Sequence, residues 1–416
     1  MRKAIGWEKN FFGNRTYLQF ALKLSNSKYV KPIVEKSIKA IVGFHVATEN
    51  GMIFPINDPT PVFKLPDNFK SLNDACNYMY SHHTRPFKKS LASIGTNSDT
   101  VVLNVSHAAS DARYFSHLLQ ILKSNEDFTA PRMIESVDST FSKEIDSYKS
   151  ELPMFNAVNP KLSRIYPKET KYTTMDNTSH LTTAVSDCQN MKCYNKKTKL
   201  LHRFSENLWS SVILSASAFS GDLSKIGVGT YIDLRQFIKN PGLQHCNIIS
   251  SVLVSADVTK DTTLGEFMMR LRSCFDEKMK KKEAFGYLKA MQVNGTKHSS
   301  TMPGIGIDMS SIGPLRIGGP IKDVCFGLLQ KGDRSQATCS YINYTVTDGV
   351  NSRLVGRIRH SPFSLSDRDA ELYVKSVHYA LENFSPDIKC GKALDELIEY
   401  QSQLQKSFPR NISYIL

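Results

Sequence analysis

Residues 28–46, KYVKPIVEKSIKAIVGFHV, place apolar side chains at Ile33, Val34, Ile38, Ile41 and Val42. That spacing predicts a helix, and Pro32 is tolerated in its first turn. NGMIFPI and PVFKL follow as short strands, set apart by proline and Asn-Asp punctuation. SLNDACNYMYSHH predicts a helix capped by Ser71, with Asp74 three residues on. After TRPFKKSLASIG comes a strand, TVVLNVSH, and then a helix, DARYFSHLLQILKS, with Phe115, Leu118, Leu119 and Leu122 on one face.

From Glu126 to about Lys199 the chain is polar, with prolines at 131, 153, 160 and 167, and its later part reads as a crossover. KLLHRFS resumes as a strand, ENLWSSVILSASAFSG as a helix closed by Gly221, and KIGVGTYIDLR and NIISSVLVSADVT as strands. Residues 262–292 predict one long amphipathic helix with Leu264, Phe267, Met268, Leu271 and Phe275 inward. Strands follow around MPGIGIDMSSIG, VCFGLLQ, ATCSYINYTV and SRLVGRIRHSPF, the last two joined as a hairpin through TDGVN. DRDAELYVKSVHYALENF is the expected final helix. Each half mixes strands and helices without a short repeat, so the fold class is α/β or α+β in two similar-sized halves.

The 416 residues are too many for one compact core, which agrees with two domains or three. With 41% apolar and 22% charged residues, the composition is globular. No apolar run is long enough to cross a bilayer, and the N-terminus is broken by charge every few residues, without the apolar core of a signal peptide. We therefore expect a cytoplasmic protein. Eight cysteines without a CxxC pair fit reduced, packed thiols; Cys188 and Cys193 come closest to a pair, but nothing completes a metal site around them.

A net charge of +14 raises nucleic acid as a partner. Its distribution argues the other way. The lysine runs at 195–199 and 277–285 lack interleaved aromatics and belong to no helix-turn-helix or zinc-finger pattern. A polyanionic small molecule such as coenzyme A, with its three phosphate groups, suits the charge equally well.

Chemistry concentrates where TVVLNVSH ends. His107 stands directly after the strand, and Asp111 where the next helix begins. One reading makes Asp111 a helix cap and His107 a hydrogen-bonded turn residue. The other sends His107 into a cleft, where a neutral imidazole takes a proton from an alcohol or amine. Asp111 would then pin the loop through an arginine.

RPF at 85–87, the strand, and SHAASDA at 106–112 resemble the superfamily of CoA-dependent acyltransferases with the chloramphenicol-acetyltransferase fold, which includes condensation domains and plant HxxxDG acyltransferases. YIDLRQFIKNPGLQHCN at 231–247 is similar to that group's Asp-x-Arg segment, with its Pro-Gly and Asn. DMSSIGPL at 308–315 falls where fungal members carry a Ser-Asn-x-Gly type sequence, and AIGWEKNFFGNRTYLQF resembles the opening of the fungal alcohol O-acetyltransferases. These matches keep the family's order and span most of the chain. Ala112 replaces the usual glycine, Ser106 replaces the second histidine of condensation domains, and the Asp-Phe-Gly-Trp-Gly sequence of plant enzymes is absent. The departures point to the fungal type.

The resemblance implies two chloramphenicol-acetyltransferase-like subdomains, each a mixed sheet with flanking helices, forming a V around a tunnel. We divide the chain as 1–175, a crossover linker at 176–199, and 200–416. His107 would be the general base for transfer from acetyl-CoA, a co-substrate rather than a resident cofactor, to a small alcohol or amine, with no acyl-enzyme and no metal. Asp111 would be paired with Arg235, whose other reading is a surface residue after a strand. Ser310 or Ser311 would donate to the oxyanion, or simply form the turn before Gly313. Lys280, Lys281 and Lys282 are expected near the tunnel mouth, attracting the CoA phosphates. We expect a monomer. The first helix is open to two readings: peripheral membrane or lipid-droplet contact, or Trp7, Phe11 and Phe12 packed into the fold. The rival to catalysis is a binding or scaffold protein that kept the fold, a reading Ala112 favours.

Overall fold

A computed structural model of the chain describes residues 1–124, 128–168, 178–294, 302–331 and 338–408. Two mixed sheets with flanking helices carry it, as the family resemblance implied. The first has five strands in the order Ile321–Leu329, Tyr17–Leu24, Thr100–Ser106, Ala92–Thr96 and Val62–Lys64. Its central pair is antiparallel, with Leu18 opposite Val105 and Phe20 opposite Leu103. Thr100–Ser106 is buried along its whole length because both its faces are covered. Val101, Leu103 and Val105 join the core under Phe115, Leu118 and Leu119, while Val102 meets Cys76 and Met79 of the helix Leu72–His83. A strand covered on both sides reads as a continuous apolar run, which is the pattern seen here.

The second sheet has seven strands. Ile249–Ser255, Gly227–Asp233, Ile305–Arg316, Thr338–Thr347, Ser352–His360 and His180–Asp187 lie in that order, and Arg164–Ile165 pairs with Ile305–Arg316. Thr338–Thr347 faces two cores at once. Cys339 and Tyr341 enter the core of the later half, and Ile342, Tyr344 and Val346 enter the core of the earlier half. The hairpin to Ser352–His360 turns at Asp348, whose Oδ1 accepts from the Val350 and Asn351 amides at 2.8 Å each.

Four expectations change. The boundary at 175/176 lies outside the described residues, and the expected crossover at 176–199 contains His180–Asp187, paired along its length with Ser352–His360. KLLHRFS supplies only the two-residue strand Leu200–Leu201 before the helix Phe204–Ser217 begins. The long helix breaks into Leu264–Lys280 and Glu283–Asn294. Lys282 is left-handed there (φ 57°), since no apolar position between Asp276 and Lys282 anchors a straight continuation except the partly buried Met279. A further helix, Cys390–Ser407, follows Asp367–Asn383 and buries Ala393, Leu394 and Leu397.

The halves also exchange an element. Ile321–Leu329 leaves the second sheet's sequence neighbourhood to complete the first sheet, with Phe326 opposite Phe20. Among the described residues no helix is long and apolar enough to cross a membrane.

Packing leaves no room for a side chain where Gly356 passes the helix Asp367–Asn383. A Cβ there would stand 2.3 Å from both His378 Nε2 and the Tyr341 hydroxyl. Neither can retreat easily, because His378 Nδ1 is bonded to Ser186 Oγ at 2.7 Å and Tyr341 is fully buried. Gly356→Ala is therefore expected to cost about 1–3 kcal/mol, read as a lower urea midpoint at unchanged slope.

Candidate active site

Thr100–Ser106 ends in a turn that fixes its backbone on several sides. The His107 N–H donates to the Thr16 carbonyl at 2.8 Å, and the Asn247 amide donates to the His107 carbonyl. The imidazole Nδ1 lies 2.9 Å from the Ser110 carbonyl. A carbonyl can only accept, so Nδ1 carries the proton and Nε2 keeps its lone pair. The ring lies flat on Phe11, with centroids 4.1 Å apart. Phe11 stacks on Trp7 and Trp7 on Tyr287, so the apolar side of the helix Gly6–Gly13 is used inside the fold. Phe12 likewise packs edge-on against Phe87 of the RPF segment. Burial lowers the His107 pKa and outweighs the pull of the Ser110 carbonyl and the Asp111 charge, which leaves a neutral base at pH 7.

Asp111 serves as both cap and anchor. Its Oδ1 accepts from the Tyr114 N–H at 2.8 Å, capping the helix Ala112–Lys123. Its Oδ2 accepts from Arg235 Nη2 at 2.7 Å and from the Ile248 N–H at 3.0 Å. Asp111 is 1% exposed and Arg235 5%. Arg235 also donates to the His245 carbonyl and to Asp233 Oδ1, each at 2.9 Å. Burial works to lower its pKa, but Asp111 and Asp233 prevail and hold it above its ordinary value. Ala112 is the first residue of its helix, a position alanine fills without strain, so no glycine is needed there.

A cavity of about 500 Å³ opens beside His107, within the range of small-molecule sites. Both sheets contribute to it: Leu18, Phe326 and Leu328 from the first, Tyr231, Ile249 and Ile342 from the second. Ser310 and Ser311 both line it. Strand alternation alone would send them to opposite faces. A register shift between Ser311 and Gly313 re-aims the chain. Asn343 then distinguishes the two hydroxyls. Its Nδ2 donates to the Ser310 carbonyl at 3.1 Å, which turns its Oδ1 toward Ser311 Oγ at 3.0 Å. Ser311 must therefore spend its proton on Asn343. The Ser310 hydroxyl makes no such bond among the described residues.

Lys280, Lys281 and Lys282 are not part of the lining. They sit at the break between two helices, where Lys281 bonds Glu277 at 2.5 Å. Sequence reasoning missed Tyr231, Gln330 and Arg359, which do line the cavity. Arg359 is buried and donates to Ser340 Oγ at 3.0 Å. Its signal was present: Arg357 and Arg359 stand two apart on one face of a strand that is buried from Leu354 to His360.

Neither a family model nor a curated protein matches the chain. Solved structures do. The polyketide synthase associated protein 5 from Mycobacterium tuberculosis aligns at TM-score 0.60 and 10% identity, over 92% of this chain and 96% of that one. The epimerization domain of the third module of tyrocidine synthetase B gives TM-score 0.60 at 11% identity, over 96% and 97%. The chain has a condensation-domain-like fold. A starter condensation domain of rhizomide synthetase, solved in complex with C8-CoA and Leu-SNAC, aligns at TM-score 0.60 and 9% identity over 93% of this chain and 95% of that one.

Removing one partner of the Asp111–Arg235 pair leaves the other buried. Asp111→Asn keeps a capping oxygen but loses the charge; Arg235 retains Asp233, so the expected cost is at the low end, about 3 kcal/mol. Asp111→Ala also removes the cap and should cost about 1 kcal/mol more. Chemical denaturation of the two variants side by side measures both.

Proposed function

We propose that the protein is an acyl-CoA-dependent acyltransferase that moves an acetyl or other short acyl group to an alcohol or amine, in the manner of the fungal alcohol O-acetyltransferases its motifs resemble. The observation that carries this reading is His107: neutral, fixed in one tautomer by Ser110, and lining a cavity with its Nε2 unbonded among the described residues. A neighbour of the same fold that holds C8-CoA lends support for a CoA-linked donor.

In this mechanism Nε2 takes the acceptor's proton as its oxygen or nitrogen attacks the thioester carbonyl. The tetrahedral oxyanion forms close to the same cavity wall, where the free proton of Ser310 suits a donor role. Collapse expels the CoA thiolate, and the imidazolium returns the proton to it. No acyl-enzyme is needed, because a shared cavity supplies the effective concentration. Asp111 and Arg235 act by holding the loop rather than by touching substrate. Contact of Lys280, Lys281 and Lys282 with the CoA phosphates remains part of the proposal and rests on charge alone. The scaffold reading loses its chief support, since Ala112 opens its helix without strain.

Thiol release from acetyl-CoA, followed with a panel of alcohols, sterols and amines, is the test. Release is expected to require both an acceptor and His107, falling about 10²–10⁴-fold in His107→Ala. No release with any acceptor, and no thermal shift with CoA, would sink the proposal. Because burial depresses the base's pKa, kcat/KM should fall only as pH drops through a midpoint below 6.5, the ordinary histidine value. Ser310→Ala should lower kcat by about 10²-fold, whereas Ser311→Ala, whose proton is already committed, should cost far less.

A further inference from the structure

A second polar centre lies behind the cavity wall. On the strand Ile321–Leu329, Phe326 and Leu328 line the cavity, while the alternate residue Cys325 packs on the other face against Cys76, Leu65 and Met79. Arg357 reaches the same place from Ser352–His360 and is 1% exposed. Its guanidinium donates to Thr183 Oγ1 at 3.0 Å, to the Phe326 carbonyl, to the Asn73 side-chain oxygen, and to Cys325 Sγ at 3.4 Å. Among the described residues no carboxylate stands among these partners.

Arginine does not give up its proton in a protein, and a buried cation needs a counter-charge. Of the groups bonded to Arg357, only the Cys325 thiol can ionise. Two more polar groups act on the same sulfur, the Cys76 thiol and the Tyr344 hydroxyl, and both favour its ionised form. The Tyr344 oxygen accepts from the Phe326 N–H at 3.2 Å, which leaves the tyrosine proton for the sulfur. A neutral thiol is a weak acceptor, so a sulfur bonded by a buried guanidinium that has no carboxylate partner among the described residues matches a thiolate.

We propose that Cys325 is held as a thiolate and forms, with Cys76 as its thiol partner, a peroxide-oxidisable pair. The charge balance agrees. The hydrogen bond from Cys76, together with Arg357 and Tyr344, holds Cys325 below the ordinary thiol range against burial and the nearby Asp323 carboxylate. Cys76 shifts the opposite way and keeps its proton. Cys325 is partly buried and Cys76 fully enclosed, so of the two Cys325 is the one nearer solvent. The thiolate attacks one oxygen of a peroxide and the O–O bond breaks. Cys325 becomes a sulfenic acid, oxidised by two electrons, and the departing hydroxide takes a proton and leaves as water. The Cys76 sulfur then displaces the new hydroxyl, an S–S bond forms, and that hydroxyl leaves as water with the Cys76 proton.

The intact protein is labelled with a small haloacetamide across about pH 5.5 to 9, and each cysteine is followed by peptide mass spectrometry. The Cys325 rate is expected to level off by about pH 7, with slower cysteines still rising past about 8.5. In a second arm, one equivalent of hydrogen peroxide should give a Cys76–Cys325 cross-linked peptide that dithiothreitol abolishes. A Cys325 profile that climbs to the ordinary thiol midpoint would overturn the thiolate. A peroxide product that leaves Cys325 reduced, or joins it to another cysteine, would overturn the pair. Arg357→Lys should move the Cys325 midpoint upward; should that variant fail to fold, the two wild-type arms decide alone. Neither readout depends on acyl transfer.

Discussion

The buried pair between Asp111 and Arg235 is the constraint on which the site depends. One carboxylate ends a helix of the first half, binds an arginine of the second, and accepts the Ile248 backbone N–H. Taking two charges out of water is costly, and their mutual attraction offsets that cost only in good geometry with every remaining donor satisfied. Here the remaining donors are satisfied by Asp233 and the His245 carbonyl. The loop carrying His107 therefore has one low-energy position relative to the second sheet, and the Asn247 amide on the His107 carbonyl reinforces it.

That rigidity sets the histidine's protonation and direction. An exposed imidazole near its ordinary pKa would be partly protonated and free to rotate. This one is stacked on Phe11, locked at Nδ1 and partly desolvated, so both its charge and its direction are set before any substrate arrives. The stack from Tyr287 through Trp7 to Phe11 holds the ring by its face, while the Ser110 carbonyl holds its edge at Nδ1. Aromatic residues of the N-terminal helix are therefore part of the site's construction.

The sequence made some of this readable and hid the rest for physical reasons. His107 and Asp111 could be placed because one ends a strand and the other begins a helix, patterns that are strong and local, whereas Arg235 was named only through the family resemblance of its Asp-x-Arg segment. Ser310 and Ser311 could be named but not told apart, since the irregularity that turns both toward the cavity leaves no mark on hydrophobic periodicity. The break at Lys281 and Lys282 was missed because charged residues fit a helix surface as readily as a helix end. The sheet membership of Ile321–Leu329 was out of reach for a different reason: periodicity identifies a strand, but its pairing with Tyr17–Leu24, some three hundred residues earlier, is a tertiary choice. Arg357 and Arg359 were the overlooked clue. Two arginines buried side by side on one face of a strand are too expensive to keep without a purpose for each.

Those purposes meet at the exchanged strand. Ile321–Leu329 presents Phe326 and Leu328 to the cavity and Cys325 to the opposite side, with Arg357 bonded to the Phe326 carbonyl between them. Side chains of one strand cannot shift independently, because a strand's two faces share a backbone. Any change in the charge beside Arg357 thus acts on the carbonyl that this arginine holds, in the residue whose ring forms part of the cavity wall. The two halves of the fold are joined by an ion pair on one side of the site and by a lent strand on the other, and the cavity lies between these two attachments. A wall built from a strand of one half, paired in the sheet of the other, is tied to both halves and can respond to either.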